Sequence, residues 1–327
     1  MNITVRQIEF KSADGASSLF GWLYIPAEEP RGIVQIVHGM AEHMGRYHEF
    51  MRFLAQHGYA AAGIDQLGHG RSNNGRYGYF AERDGWRALV EDQYKFHKIL
   101  HAEIPGPEHT VLLGHSMGSF VARLYASRYP QTIAGLVLSG TARGGLKVDA
   151  AVQMATVSAR REGLLADHDL DKLAFGLFNE RFKPAKTKFD WLSRDEAMVR
   201  RFVDDPECGF VFTASGFRDL FTLISGANQK RTFSAVNKRM PVLVFSGAQD
   251  PVGEYGKGPT QVYKRYLKAG LSDVELILYD GGRHEMLNEQ NRAEVFGEVL
   301  SWLDDHLVPQ EQAPQEQLPE DYDRQEP

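Results

Sequence analysis

Residues 110–120 read Thr-Val-Leu-Leu-Gly-His-Ser-Met-Gly-Ser-Phe, and this stretch decides the fold. A short apolar run ends at Gly114, the pattern Gly-x-Ser-x-Gly follows (Gly114, Ser116, Gly118), and 117–129 reads as a helix. Strand, tight turn and helix are the context in which that pattern carries chemistry. The turn must hold serine in a strained conformation, and glycines two residues away on either side let other backbone approach closely. Ser116 then stands at a helix N-terminus, where the macrodipole favours developing negative charge.

Other short apolar runs lie outward from this one, at 32–37 (GIVQIV), 59–64 (YAAAGI), 133–138 (IAGLVL), 242–246 (VLVFS) and 274–279 (VELILY). Unbroken apolar strands suit a parallel sheet covered on both faces, because neither side of such a strand meets water. Helical stretches fall between them near 46–57, 84–102, 260–269 and 289–306. In 84–102, Trp86, Leu89, Val90, Phe96, Ile99 and Leu100 recur at helical spacing. At the start, 3–10 and 18–25 pair as an antiparallel hairpin around Ala13-Asp14-Gly15. The expected architecture is α/β: a mostly parallel, doubly wound sheet of eight strands with helices on both faces.

One gap breaks the alternation. Between Leu138 and Val242 lie about 100 residues of helical character with no strand, too long for a structureless loop in a compact domain. The expected organisation is a core made of 1–140 and 240–307, with a helical lid inserted at 141–239. The insert holds 10 of the chain's 19 phenylalanines and a net charge of +4. Those phenylalanines serve either as the insert's own core or as the lining of an apolar pocket beneath it. The last segment, 308–327, is acidic and rich in Pro, Gln and Glu, with a net charge of −5. It has almost nothing apolar to bury, so it is expected to be disordered.

Composition narrows the function. A hydrophobic fraction of 43% and a charged fraction of 24% over 327 residues exclude a fibrous or wholly disordered chain. No apolar run approaches the length of a membrane span, and the N-terminus lacks the apolar stretch of a signal peptide. The single cysteine, Cys208, forbids an intramolecular disulfide, so the chain reads as a soluble, cytoplasmic protein. A net charge of −6 gives no general attraction to nucleic acid.

Serine is a weak nucleophile until a base takes its proton, so a histidine and an orienting carboxylate must be found. Asp250 follows the strand VLVFS, and His284 follows VELILYD. Each stands at the carboxyl end of a strand, the edge where α/β sheets place ligands, and the chain order Ser, Asp, His suits such a sheet. Asp280 is the rival acid, but it closes the strand that presents His284. An oxyanion needs two backbone N–H donors. The residue after the nucleophile, Met117, supplies one, and Met40, in the loop 37–43 after the third strand, supplies the other. His38, Glu42 and His43 have loosely ligand-like spacing, but no further cluster supports them and no metal site is expected. Cys208 lies among acids that would raise its pKa, so it is not read as a nucleophile.

With these residues in view, the chain resembles the monoacylglycerol lipase and lysophospholipase branch of the α/β-hydrolases, the group that also carries the serine aminopeptidase label. The matching motifs are HGMAEHMGRY (38–47), DQLGHGRSNN (65–74), GHSMG (114–118), GAQDPVG (247–253) and GGRHEM (281–286). In the insert, WLSRDEAMVRRFVDDPECGF (191–210) is similar to a segment this family places in its lid. The resemblance spans about 1–307. It implies Ser116, Asp250 and His284 as a triad, the amides of Met40 and Met117 as the oxyanion hole, and a mobile lid over an acyl-chain tunnel. The tail is outside the family pattern.

The function expected is therefore a serine hydrolase that cleaves the carboxylic ester of a single-acyl lipid, a monoacylglycerol or lysophospholipid, through an acyl-enzyme. Its partner would be that small lipid ester, with transient membrane-surface contact through the lid. The triad needs neither metal nor nucleotide, so no cofactor is implied. The alternatives are an acyltransferase, or an esterase or peptidase acting on non-lipid substrates, with the same three residues.

Overall fold

A computed structural model describes residues 2–307; the expectation for 308–327 lies outside the described residues. The chain forms strands β1 (Ile3–Lys11), β2 (Ser18–Pro26) and β3 (Ile33–Val37), then helix α1 (His48–Gln56) and β4 (Ala60–Ile64). Next come α2 (Gly85–Glu103), β5 (Thr110–His115), α3 (Met117–Arg128) and β6 (Gly135–Ser139). Five helices follow without an intervening strand: α4 (Leu146–Glu162), α5 (His168–Phe175), α6 (Glu196–Asp204), α7 (Ala214–Ala227) and α8 (Lys230–Ser234). The chain then re-enters the sheet with β7 (Val242–Gly247), α9 (Lys257–Lys268), β8 (Val274–Tyr279) and α10 (Arg292–Leu307).

The eight strands make one sheet in the order β1-β2-β4-β3-β5-β6-β7-β8. The opening hairpin is antiparallel, with Ile3 opposite Pro26 and Lys11 opposite Ser18, and β2 is antiparallel to β4. From β4 onward every pairing is parallel. The apolar runs explain the layering. Along β3, Ile33 and Val37 face one core while Val34 and Ile36 face the other; β6 divides Leu136 and Leu138 from Val137 in the same way. Because side chains alternate across a strand, one continuous apolar run supplies both faces. Helices α1 and α10 cover one face through Phe50, Leu54, Val299 and Trp302. Helices α2, α3 and α9 cover the other through Leu89, Phe96, Val121 and Tyr266.

The helices between β6 and β7 share that second core. Phe212, Phe217, Leu220 and Leu223, on or beside α7, belong to the same buried cluster as α3 and the sheet. Other phenylalanines of this stretch turn away from it. No helix among the described residues is long and apolar enough to cross a membrane.

Candidate active site

The order of the strands places the site. Chain order reverses beside β3, whose sheet neighbours are β4 and β5, and the crevice outside the carboxyl ends at such a reversal is where α/β sheets receive ligands. The loop after β3 carries Met40, β5 leads directly into Ser116, β7 is followed by Asp250, and β8 by His284.

Ser116 occupies a backbone conformation with φ 52° and ψ −118°, in the positive-φ region that a side chain rarely adopts. Two close approaches hold the turn there. A Cβ at Gly118 would come within 2.1 Å of the Val37 carbonyl oxygen and 2.5 Å of that of His38, so only glycine lets α3 pack against the loop bearing Met40. A Cβ at Gly247 would lie 2.1 Å from the Gly282 oxygen and 2.2 Å from that of Arg283, so glycine also lets the loops carrying Asp250 and His284 meet. The Ser116 amide donates to the Ser139 carbonyl at 2.9 Å, continuing the sheet into the turn.

Asp250 is completely buried and His284 is 2% exposed. The ring Nδ1 of His284 lies 3.0 Å from Asp250 Oδ2. The same carboxylate accepts from Ser246 Oγ at 3.0 Å and from the Val252 amide at 2.8 Å. Burial by itself would lower the His284 pKa; the Asp250 charge and hydrogen bond, with Glu285 and Glu42 farther off, outweigh it and raise the pKa above 6.5. Asp280, the rival acid, is exposed. Beside His284 lies His115, its ring 4.7 Å away. Burial and the nearby His284 push His115 down to about 4, so this second imidazole is neutral at ordinary pH.

Ser116, His284, Met40 and Met117 all line one cavity of about 960 Å³. The hydrogen bonds of the described residues include none donated by the amides of Met40 or Met117. The cavity runs from these residues beneath the helices that join β6 to β7, where Phe175, Phe178, Phe189, Phe210 and Phe221 form much of its wall. The phenylalanines of this stretch thus fill both roles the sequence left open: Phe212, Phe217 and Phe233 are core, and Phe221 is core and cavity wall at once.

The ligand-like residues of the loop after β3 have other partners. His38 Nε2 accepts from the Gln66 amide at 2.9 Å, and His43 Nε2 meets Asp205 Oδ2 at 3.0 Å. Glu42 accepts from the Gly39 amide, from Tyr47 Oη at 2.8 Å and from Arg46 at 2.6 Å. Arg46 in turn forms a two-pronged ion pair with Glu285 at 2.5 and 2.6 Å. Burial alone would raise the Glu42 pKa; Arg46, His115 and His38 instead hold it at about 2. This buried Glu42–Arg46–Glu285 bridge ties the Met40 loop to the His284 loop, and sequence reasoning missed it. The signal was available, since Glu42 and Arg46 stand inside HGMAEHMGRY and Glu285 inside GGRHEM. Cys208 is corrected in its cause: its thiol pKa is raised chiefly by burial, with Glu42, Asp205 and Glu285 adding to it and Arg46 opposing.

Three backbone bonds fasten the inserted stretch to these loops, the longest from the His284 amide to the Trp191 carbonyl at 3.4 Å; the other two are shorter. The Glu285 amide donates to the Leu192 carbonyl at 2.8 Å, and the Gly209 amide to the Ala41 carbonyl at 2.8 Å. All three have one end in the segment 191–210 singled out in the sequence.

The chain is similar to known proteins over most of its length. The family model described as "Serine aminopeptidase, S33" matches residues 28–291. The monoacylglycerol lipase of Mycolicibacterium smegmatis is 29% identical over 294 residues, covering 87% of this chain and 92% of that protein. The monoglyceride lipase of Rattus norvegicus is 32% identical over 314 residues, covering 91% and 90%. Among solved structures, a thermostable carboxyl esterase from Bacillus coagulans in complex with glycerol superposes with a TM-score of 0.88 at 28% identity, covering 94% of this chain and all of that one. The chain belongs to the serine aminopeptidase S33 family of α/β-hydrolases, in its monoglyceride lipase-like group, and is a carboxylic ester hydrolase.

Proposed function

We propose that the protein hydrolyses the ester of a single-acyl lipid, a monoacylglycerol or lysophospholipid, through an acyl-enzyme on Ser116. The observation that carries this reading is the apolar cavity that opens on Ser116 and His284 and continues between phenylalanines. A cavity of that shape removes an acyl chain from water while leaving the ester at the polar end. The names of the relatives, monoglyceride lipases among them, support the same substrate class.

Ser116 Oγ attacks the ester carbonyl carbon while His284 Nε2 takes the hydroxyl proton. Asp250 fixes the ring through Nδ1 and balances the imidazolium that forms. The amides of Met117 and Met40 receive the oxyanion. Collapse of the tetrahedral intermediate expels the alcohol, which leaves with the proton from His284. Water then attacks the acyl-enzyme as His284 takes its proton, and His284 returns that proton to Ser116 Oγ as the fatty acid leaves. Buried, neutral His115 adds no competing charge beside His284.

Residues 141–239 act in this proposal as a lid over the cavity, set on the core formed by 1–140 and 240–307, and the protein works in the cytoplasm. Leu146 (89% exposed) and Leu177 (74% exposed) lie on this stretch, with Lys147, Lys172 and Lys188 around the cavity. Exposed apolar side chains beside lysines suit transient contact with a lipid surface. The test is fatty-acid release from monoacylglycerols and lysophospholipids of several chain lengths, with Ser116→Ala alongside. Release by the wild type alone supports the proposal. Cleavage of small aryl esters with no release from any lipid would overturn the lipid substrate and keep the nucleophile.

A further inference from the structure

Helix α3 carries, about two turns beyond Ser116, an arginine that the proposed reaction leaves unused. Arg123 is fully buried, as are Ser119 and Thr141. An isolated buried charge is costly, so a buried guanidinium ordinarily has a carboxylate partner; among the described residues Arg123 forms no ion pair. Its Nη2 donates to the Ala227 carbonyl at 2.6 Å and to Asn228 Oδ1 at 3.0 Å. This is the C-terminus of α7, where the helix dipole favours a cation. Its Nη1 donates to the Ala142 carbonyl at 3.2 Å and to Thr141 Oγ1 at 3.4 Å.

The contact with Thr141 begins a chain whose direction is fixed by its ends. Thr141 Oγ1 lies 2.9 Å from Ser119 Oγ, which lies 2.6 Å from the carbonyl oxygen of Ser116. A guanidinium only donates and a carbonyl only accepts. Ser119 has one hydroxyl proton, and the Ser116 carbonyl requires it. The contact between the two hydroxyls is therefore filled by the Thr141 proton, and Thr141 accepts from Arg123. One ordering satisfies every contact: Arg123 to Thr141, Thr141 to Ser119, Ser119 to Ser116.

The carbonyl at the end of the chain belongs to the peptide unit between Ser116 and Met117, and the N–H of that unit is the Met117 amide. In a trans peptide the two groups point in opposite directions within one plane, so whatever fixes the carbonyl fixes the amide. We propose that Arg123, Thr141 and Ser119 form a positioning relay that aims the Met117 N–H at the oxyanion and couples that donor to the start of the 141–239 insert and to the C-terminus of α7 within it. The proposal rests on reading Ser116 as the nucleophile and Met117 as an oxyanion donor. The Ser119 amide also reaches the Ser116 carbonyl, at 2.9 Å, so two donors oppose rotation of this peptide in a turn whose backbone is strained. Successive hydrogen bonds polarise one another, and a cation at the head of the row draws electron density toward itself and sharpens the N–H at the far end.

Ser119→Ala, Thr141→Val, Thr141→Ser and the Ser119→Ala/Thr141→Val pair test the relay, with each rate normalised to the fraction of Ser116 labelled by a fluorophosphonate at completion. Ser119→Ala and Thr141→Val are expected to lower kcat on a soluble aryl ester by about tenfold or more, with KM within about twofold, since an oxyanion donor acts only in the transition state. Thr141→Ser is expected to restore kcat, and the pair to be no worse than the poorer single variant, because each breaks the same chain. Normal kcat in labelled Ser119→Ala and Thr141→Val overturns the relay and leaves the nucleophile standing. So does a Thr141→Ser variant as impaired as Thr141→Val, or a loss that appears in KM rather than kcat. Failure of the wild type to label at Ser116 overturns both readings.

Discussion

The loops at the carboxyl edge of the sheet and the helices inserted between β6 and β7 invert the usual rule of burial in opposite ways. At the sheet edge, charged groups are buried. Asp250 is completely so, and Glu42 and His284 are 2% exposed, each with its own hydrogen-bonding partner. In the insert, apolar groups are exposed. Eight of the eleven exposed large apolar side chains among the described residues lie within 141–239, and Phe178 and Phe189 line the cavity without joining either buried cluster. Buried charge is retained where a fixed electrostatic environment does chemistry. Exposed apolar surface is retained where something apolar from outside will cover it. On the proposed reading, the sheet edge is suited to breaking the bond and the insert to choosing and admitting what is broken.

That contrast is most exposed at Ser116. Ser116→Ala should lower kcat for ester hydrolysis by roughly 10⁵–10⁶-fold while leaving the cavity intact; fatty-acid release within a factor of ten of wild type would break it. Asp250→Asn comes next. The isosteric change keeps the contact but presents a donor where His284 needs an acceptor, and a loss of about 10⁴-fold in kcat is expected. Thermal unfolding of that variant close to the wild type would place the loss in the chemistry rather than the fold.

A smaller effect comes from pH. His284 must be neutral to take the proton from Ser116, and its pKa is raised above 6.5. The acid limb of kcat/KM should therefore begin above pH 6.5 and fall by about tenfold per unit below it. Stability runs the other way. A histidine whose folded pKa is raised stabilises the fold fully below its unfolded pKa, and that contribution is lost as pH rises through the folded pKa. In the window just above pH 6.5 activity should climb while this part of the stability declines. A profile flat down to pH 6 contradicts the assignment. The smallest change expected is at the insert: Leu146→Glu should weaken retention on phosphatidylglycerol vesicles several-fold yet leave soluble aryl-ester turnover within about twofold, because the residue is 89% exposed and does not line the cavity. Equal losses in both assays would show the two halves to be less separable than their burial patterns imply.

Much of the fold was legible because its signals are local. Unbroken apolar runs such as Ile133 to Leu138 mark strands covered on both faces, and the structure starts β6 two residues into that run and ends it one residue past it. The turn at Ser116 was equally readable, since strand, glycine spacing and helix sit within a dozen residues. The bridge Glu42–Arg46–Glu285 was not, because Arg46 and Glu285 are 239 residues apart and a charged side chain looks the same in sequence whether it is solvated or buried. The division of phenylalanines between core and cavity was also hidden. Phe210 and Phe212 are two residues apart, yet one lines the cavity and the other is completely buried.

By itself the sequence determined the strand and helix order, the turn that strains Ser116, and the two later loops that could hold Asp250 and His284. Hydrophobic periodicity and glycine placement act over a few residues, and that is the range over which a linear reading has force. Only the tertiary structure decided that Asp250 rather than Asp280 meets the histidine, that Arg46 joins two loops, and that Arg123 ties the start of the insert to the C-terminus of α7. Those outcomes depend on which elements the sheet order makes neighbours and on which charges lose their water, and both are properties of the packed chain.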